Sequence, residues 1–151
     1  MLGAIIIDEL ARFHLLEPIT DPLFSYFIGG DASAGIAQVT IETARGLIKD
    51  GYYNPNPSDT KLSPSNIGAT SRKDLYEYVA QSEFNIFFAA AHMRALIDTW
   101  NKFVDLNKRP EIIATLYSIG RGKPPHNNPQ PSKRGLRIVG EFYQLAHKWL
   151  R

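Results

Sequence analysis

Cysteine is absent from the 151 residues, which excludes disulfide bridges and thiolate metal sites and leaves no redox compartment to be read. No window holds the roughly 20 consecutive apolar residues that a membrane-spanning helix needs. The opening Met1-Leu2-Gly3-Ala4-Ile5-Ile6-Ile7 is apolar, but it lacks a basic leader and runs into Asp8-Glu9, so no signal peptide is visible in this chain. Excess charge is also missing: 17 basic against 15 acidic residues leave a net +2. That is too little for a nucleic-acid surface, although a slight positive bias suits an anionic polymer such as cell wall. The four histidines, His14, His92, His126 and His147, show no zinc spacing. No metal and no cofactor is therefore expected. What is present, 44% hydrophobic and 21% charged residues, suits one compact domain, 1–151, which can equally be a piece cut from a longer protein.

The patterning is that of a mainly α chain with long irregular loops. Residues 2–16 read as a helix with Ile5, Ile6, Glu9, Phe13 and Leu16 on one face. This sets Glu9 among apolar side chains, where desolvation keeps a carboxyl protonated and able to act as an acid. The alternative for Glu9 is a boundary residue paired with Arg12 at i+3. Asp8, about 100° away round the helix, reads as an ordinary surface carboxylate. Glu17-Pro18 and Asp21-Pro22 end this helix.

Gly30-Asp31-Ala32-Ser33-Ala34-Gly35-Ile36-Ala37-Gln38 is short of side-chain bulk and leads into Ile41, Ala44 and Ile48 at helical spacing. A polar ligand can approach bare backbone there while Gln38 offers a donor and an acceptor. A glycine turn before a helix capped by Ser33 is the plainer alternative. The stretch 50–70 is rich in Asn, Pro, Ser and Gly and allows little regular structure; such loops serve as lids or binding walls. Tyr52 and Tyr53 at its start suit either sugar stacking or loop anchoring. Ser71 and Asp74 form a shortened capping box for the next helix, whose stripe is Leu75, Tyr78 and Val79. Ser82–Trp100, the longest apolar helical run, is expected to be the central buried helix. Pro110 suits the first position of the helix that follows. A proline-rich connection, 123–134, precedes a last helix carrying Leu136, Val139, Phe142, Tyr143, Ala146 and Leu150 on one face.

Three segments in order carry a resemblance. Ser33-Ala34-Gly35-Ile36-Ala37-Gln38-Val39 with Thr40-Ile41-Glu42-Thr43-Ala44, Asn85-Ile86 with its small residues and Met93, Leu96 and Ile97, and Ala114-Thr115-Leu116-Tyr117-Ser118-Ile119-Gly120-Arg121-Gly122 resemble the signatures of lysozyme-like lytic transglycosylases and goose-type lysozymes. The resemblance implies a lysozyme-like helical domain with a glycine-rich small lobe. It implies cleavage of the β-1,4 bond between the MurNAc and GlcNAc sugars of peptidoglycan, outside the cytoplasm or from a phage particle, with glycan strands as the partner. By order along the chain it makes Glu9 the single acid and base. Asp31, or Asp21 after it, would position water as in the goose-type enzymes. Gln38 and Tyr117 would hold the N-acetyl group and Glu9, with Ile36, Ala37 and Ser118 against the glycan and Tyr52 as a stacking surface. Leu10 and Ser118 stand where the family has serine and asparagine. These departures favour the alternative of a domain that binds glycan or a protein partner without cleaving.

Overall fold

The computed structural model describes residues 1–16, 33–119 and 124–149, with no side chain described at 13–16. The chain is mainly helical. Helix α1 (Leu2–Leu16) is followed by a hairpin of two-residue strands, β1 (Ser33–Ala34) and β2 (Val39–Thr40), then by α2 (Ile41–Lys49), α3 (Arg72–Val79), α4 (Ser82–Trp100), α5 (Pro110–Ile119), α6 (Lys133–Arg137) and α7 (Tyr143–Trp149). Single 3-10 turns occur at Thr60–Leu62 and Leu106–Lys108, and a π turn, Ile138–Phe142, joins α6 to α7. Two compact units result, one of Met1–Asp8 with His92–Arg151 and the other of Glu9–Ala91.

In the Glu9–Ala91 unit, β1 and β2 pair antiparallel with Ser33 opposite Thr40 and Ala34 opposite Val39. This pairing corrects the expected cap. Ser33 is held in a strand, so α2 starts only after β2, and Thr40 caps it by accepting from the Thr43 amide. Ile41, Ala44, Leu47 and Ile48 form the buried stripe of α2. The helix ends in a Schellman turn: Gly51 sits at φ +75, and the amides of Gly51 and Tyr52 donate to the carbonyls of Ile48 and Leu47. The irregular stretch beyond is pinned. Leu62 and Ile67 are fully buried, and the Arg45 guanidinium donates to the Ile67 and Thr70 carbonyls. Ser71 caps α3 as its spacing implies, accepting from the Asp74 amide. Leu75 and Val79 are fully buried, whereas Tyr78 is half-buried.

Helix α4 contributes to both units and differs from the expectation of a helix buried all round. Asn85, Phe88, Ala89, His92, Leu96 and Trp100 face the interior, while Ile86 and Phe87 are exposed. The run is apolar at almost every position, so its composition hides which side faces inward.

In the other unit α5 is buried from Ile112 to Tyr117, and α6 crosses it at very short range. A Cβ on Gly135 would lie 2.1 Å from Thr115 Oγ1 and 2.5 Å from the Glu111 carbonyl. Thr115 Oγ1 donates to that carbonyl and accepts from the Ser132 amide at 2.9 Å, while Ser132 caps α6. Because Gly135 must face α5, Leu136 is turned outward and stays 53% exposed; Tyr143 is exposed too. The buried positions are Gly135, Ile138 and Ala146, with the π turn shifting the register between them. The expected stripe through Leu136 and Tyr143 is thereby corrected, and Leu150 lies outside the described residues.

Asp8 also departs from its expected place on the surface. Its surface is wholly buried, in line with Ala4 and Ile5 at i−4 and i−3. Arg134 meets Oδ2 through Nε at 2.7 Å and Nη2 at 2.6 Å, and Arg137 Nη2 donates to Oδ1. Charge-assisted bonds from two guanidinium groups offset the loss of water around the carboxylate. Removing the carboxylate would leave two like charges facing each other, so Asp8→Ala should lower stability by roughly 2–4 kcal/mol. Urea unfolding checks this; an unchanged midpoint would contradict the role given to the ion pair.

Candidate functional site

The glycine-rich segment folds into the tip of the hairpin. Gly35 adopts φ +71 and Gln38 φ +50, and the Gln38 amide donates to the Gly35 carbonyl at 3.1 Å. A left-handed conformation costs a non-glycine residue about 1–2 kcal/mol, and the Gln38 side chain supplies compensation. Its Nε2 donates to the Gly35 carbonyl at 2.9 Å, and its Oε1 accepts from Ser33 Oγ at 2.6 Å. One N–H and one lone pair of the amide are thus spent on holding the turn, which leaves one of each for a ligand.

Beneath the turn lies Asn85 of α4, fully buried. Its Oδ1 accepts from the Ala37 amide at 2.7 Å, and its Nδ2 donates to the carbonyls of Ala34 and Val79, each at 2.8 Å. Both N–H bonds of the side chain are used. A Cβ at position 35 would come within 2.4 Å of Asn85 Cγ, so glycine is required there both for its backbone angle and for the room it leaves. The first and second segments of the sequence resemblance therefore meet at one side chain.

The remaining candidates are distributed as follows. Ile36 is a half-exposed turn residue, whereas Ala37 has no exposed surface. Glu9 is half-buried on α1 and belongs to the same compact unit as the hairpin. Tyr117 and Ser118 lie on α5 in the other unit. The Tyr117 ring is buried 4.9 Å from that of His92, and Ser118 Oγ donates to the Ala114 carbonyl one turn back. Tyr52 is half-buried and its amide helps cap α2. Tyr53 has the ring contacts instead, 5.7 Å from Phe87 and edge-on to Phe88 at 4.9 Å. Asp31, Asp21, Gly120 and Gly122 lie outside the described residues.

No family model, curated protein or solved structure matches the chain. The functional reading rests on the residues themselves. Among the described residues no three His, Asp or Glu side chains gather as a metal site, and no helix is long and apolar enough to cross a membrane.

The local pattern at Asn85 does not show that it lies under the turn. The available signal was one amide in an otherwise apolar stretch of helix. Asn85→Asp tests the arrangement. An aspartate still accepts from the Ala37 amide but turns an oxygen toward two carbonyls, so it should cost roughly 3 kcal/mol, about as much as Asn85→Ala. Urea unfolding measures both, and an Asn85→Asp chain as stable as the parent would refute the hydrogen-bond assignment.

Proposed function

We propose that the chain is a lysozyme-like, peptidoglycan-cleaving glycosidase domain that splits the MurNAc–GlcNAc β-1,4 bond with Glu9 as acid and base. The observation that carries this reading is the Asn85 contact with the Gly35 turn. Two segments chosen for their likeness to one family, about fifty residues apart, meet through two hydrogen bonds, from the Ala37 amide to Asn85 and from Asn85 to the Ala34 carbonyl. A chance match of short motifs gives no reason for that.

In this proposal Glu9, half-buried on α1, protonates the leaving glycosidic oxygen as positive charge builds on the sugar ring. It then takes a proton either from a hydroxyl of the sugar itself, giving an anhydro product, or from water, giving hydrolysis. Gln38 has one donor and one acceptor left for an N-acetyl group, and the half-exposed Ile36 lies at the turn against the glycan. Asp31, Tyr117, Ser118 and Tyr52 enter from the resemblance and not from their contacts. The same reading puts the chain outside the cytoplasm or in a phage particle.

A second reading, a domain that binds glycan or a protein partner without cleaving, is favoured by the Ser118 hydroxyl being engaged with the Ala114 carbonyl and by the exposed Leu10 beside Glu9. Lysis of purified peptidoglycan separates the two. Glu9→Gln should reduce it by about a thousandfold while the melting temperature moves by no more than about 2 °C. Lysis that survives the substitution removes Glu9 from the mechanism, and binding by the parent chain without any product establishes the second reading. Mass spectrometry of the products tells an anhydro end from a reducing one.

A further inference from the structure

Phe87 lies two residues beyond Asn85, about 200° round α4 and so on another face from the hairpin contact. It keeps 51% of its surface exposed, yet its ring is not isolated. The Tyr53 ring, half-buried, lies 5.7 Å away at a tilt of 33°. Behind Tyr53 stands the fully buried Phe88, edge-on at 4.9 Å. The Schellman turn at Gly51 fixes the backbone just before Tyr53. Two rings from separate elements are thus presented on a rigid support, which lowers the entropy lost when something stacks on them.

We propose that Phe87 and Tyr53 form a stacking platform for an uncharged N-acetylhexosamine ring, a second glycan contact apart from the hairpin. One face of a hexopyranose is a patch of C–H bonds, which the negative face of an aromatic ring attracts, and its rim is hydroxyl groups. The rim has counterparts here. The Tyr53 hydroxyl can donate or accept, and the exposed Glu83 carboxylate, one helical turn before Phe87, is close enough to act on it electrostatically. Burial, with Glu83 adding to it, pushes the Tyr53 hydroxyl above the usual phenol range, so it keeps its proton.

The size and charge of the patch argue for this occupant. A half-exposed phenylalanine presents about 100 Å², whereas a stable protein interface needs about 800 Å² on each side. Along α4 the exposed charged residues Glu83 and Arg94 stand one turn before and two turns after Phe87, with only the small Ala90 exposed between Phe87 and Arg94 on that side. Glu83 also disfavours a sugar that carries a carboxylate. In the glycan strand of the proposed function, on which the choice of polymer rests, this selects N-acetylglucosamine over a neighbour whose lactyl carboxylate carries no peptide. A second contact of this kind raises the local concentration of a domain working on an insoluble polymer.

The test is a titration of chitotetraose, which has no carboxylate, into the parent chain and into Glu9→Gln, followed by NMR at the Phe87 and Tyr53 rings. Shifts at both rings are expected, with affinity falling roughly tenfold in Phe87→Ala and by only about two- to fivefold in Tyr53→Phe, which loses the hydroxyl contact but keeps the ring and its packing. Glu83→Gln should tighten binding of a muramic-acid disaccharide while leaving chitotetraose unchanged. Absence of chitotetraose binding, binding that Phe87→Ala leaves unaltered, or a Phe87-dependent dimer with no sugar effect would each overturn the platform. The titration does not depend on cleavage, so a parent chain that lyses no peptidoglycan would sink the proposed function and leave the platform result standing.

Discussion

Three hydrogen bonds to one buried amide tie the hairpin to the ends of two helices. Asn85 reaches from α4 to the Ala34 carbonyl and the Ala37 amide, backbone groups that a two-residue sheet cannot pair for itself, and to the Val79 carbonyl at the end of α3. A ladder that short has little stability alone. The turn residues add to the load, since Gln38 sits at φ +50 and leaves part of its hydrogen-bonding capacity in the turn. The glycine at 35 is what allows α4 to come so close. Backbone angle, side-chain room and amide chemistry therefore depend on one another at a single point, and the half-exposed Ile36 and the remaining donor and acceptor of Gln38 are presented from it.

The Met1–Asp8 and His92–Arg151 unit meets a comparable problem with charge. Asp8 is buried on α1 and Arg134 and Arg137 close on it from α6 and its end. A lone carboxylate there would cost several kcal/mol, and one arginine would leave part of its oxygens unpaired. Two guanidinium groups satisfy both oxygens, and they remain partly exposed, so each keeps some of its own hydration. The close crossing at Gly135, where Thr115 and Ser132 exchange hydrogen bonds, fixes the start of the helix that carries both arginines. Glu9, one residue after Asp8, is about 100° away on the same helix. The rotation of α1 that buries Asp8 thus also sets the direction of Glu9.

Much of the helical framework was legible. The cap at Ser71, the proline that begins α5, the stripe of α2 and the bounds of α4 all follow from local rules of capping, φ restriction and periodicity, which act within a few residues. Legibility fell where a partner lies far along the chain. Asp8 reads as a surface acid because its partners are 126 and 129 positions away. Ser33 reads as a helix cap because nothing local shows that it pairs with Thr40. Phe87 reads as core because an apolar helix carries no mark of its outer side. At the candidate site, the small residues and Gln38 stood out in the sequence, but the amount of Gln38 taken up by its own turn did not.

The sequence by itself determined a mainly helical chain, the bounds of α1 and α4, the starts of α3 and α5, and the need for glycine at a turn before α2, because these are decided by interactions over three or four residues. Tertiary structure alone decided which carboxylate of the Asp8-Glu9 pair is buried, that Asn85 lies under the Gly35 turn, and that Phe87 and Tyr53 share one surface. The physical reason is common to all three. Burying a polar group, or leaving an apolar one exposed, is settled by the partner that arrives from a distant segment, and that partner leaves no trace in the local pattern.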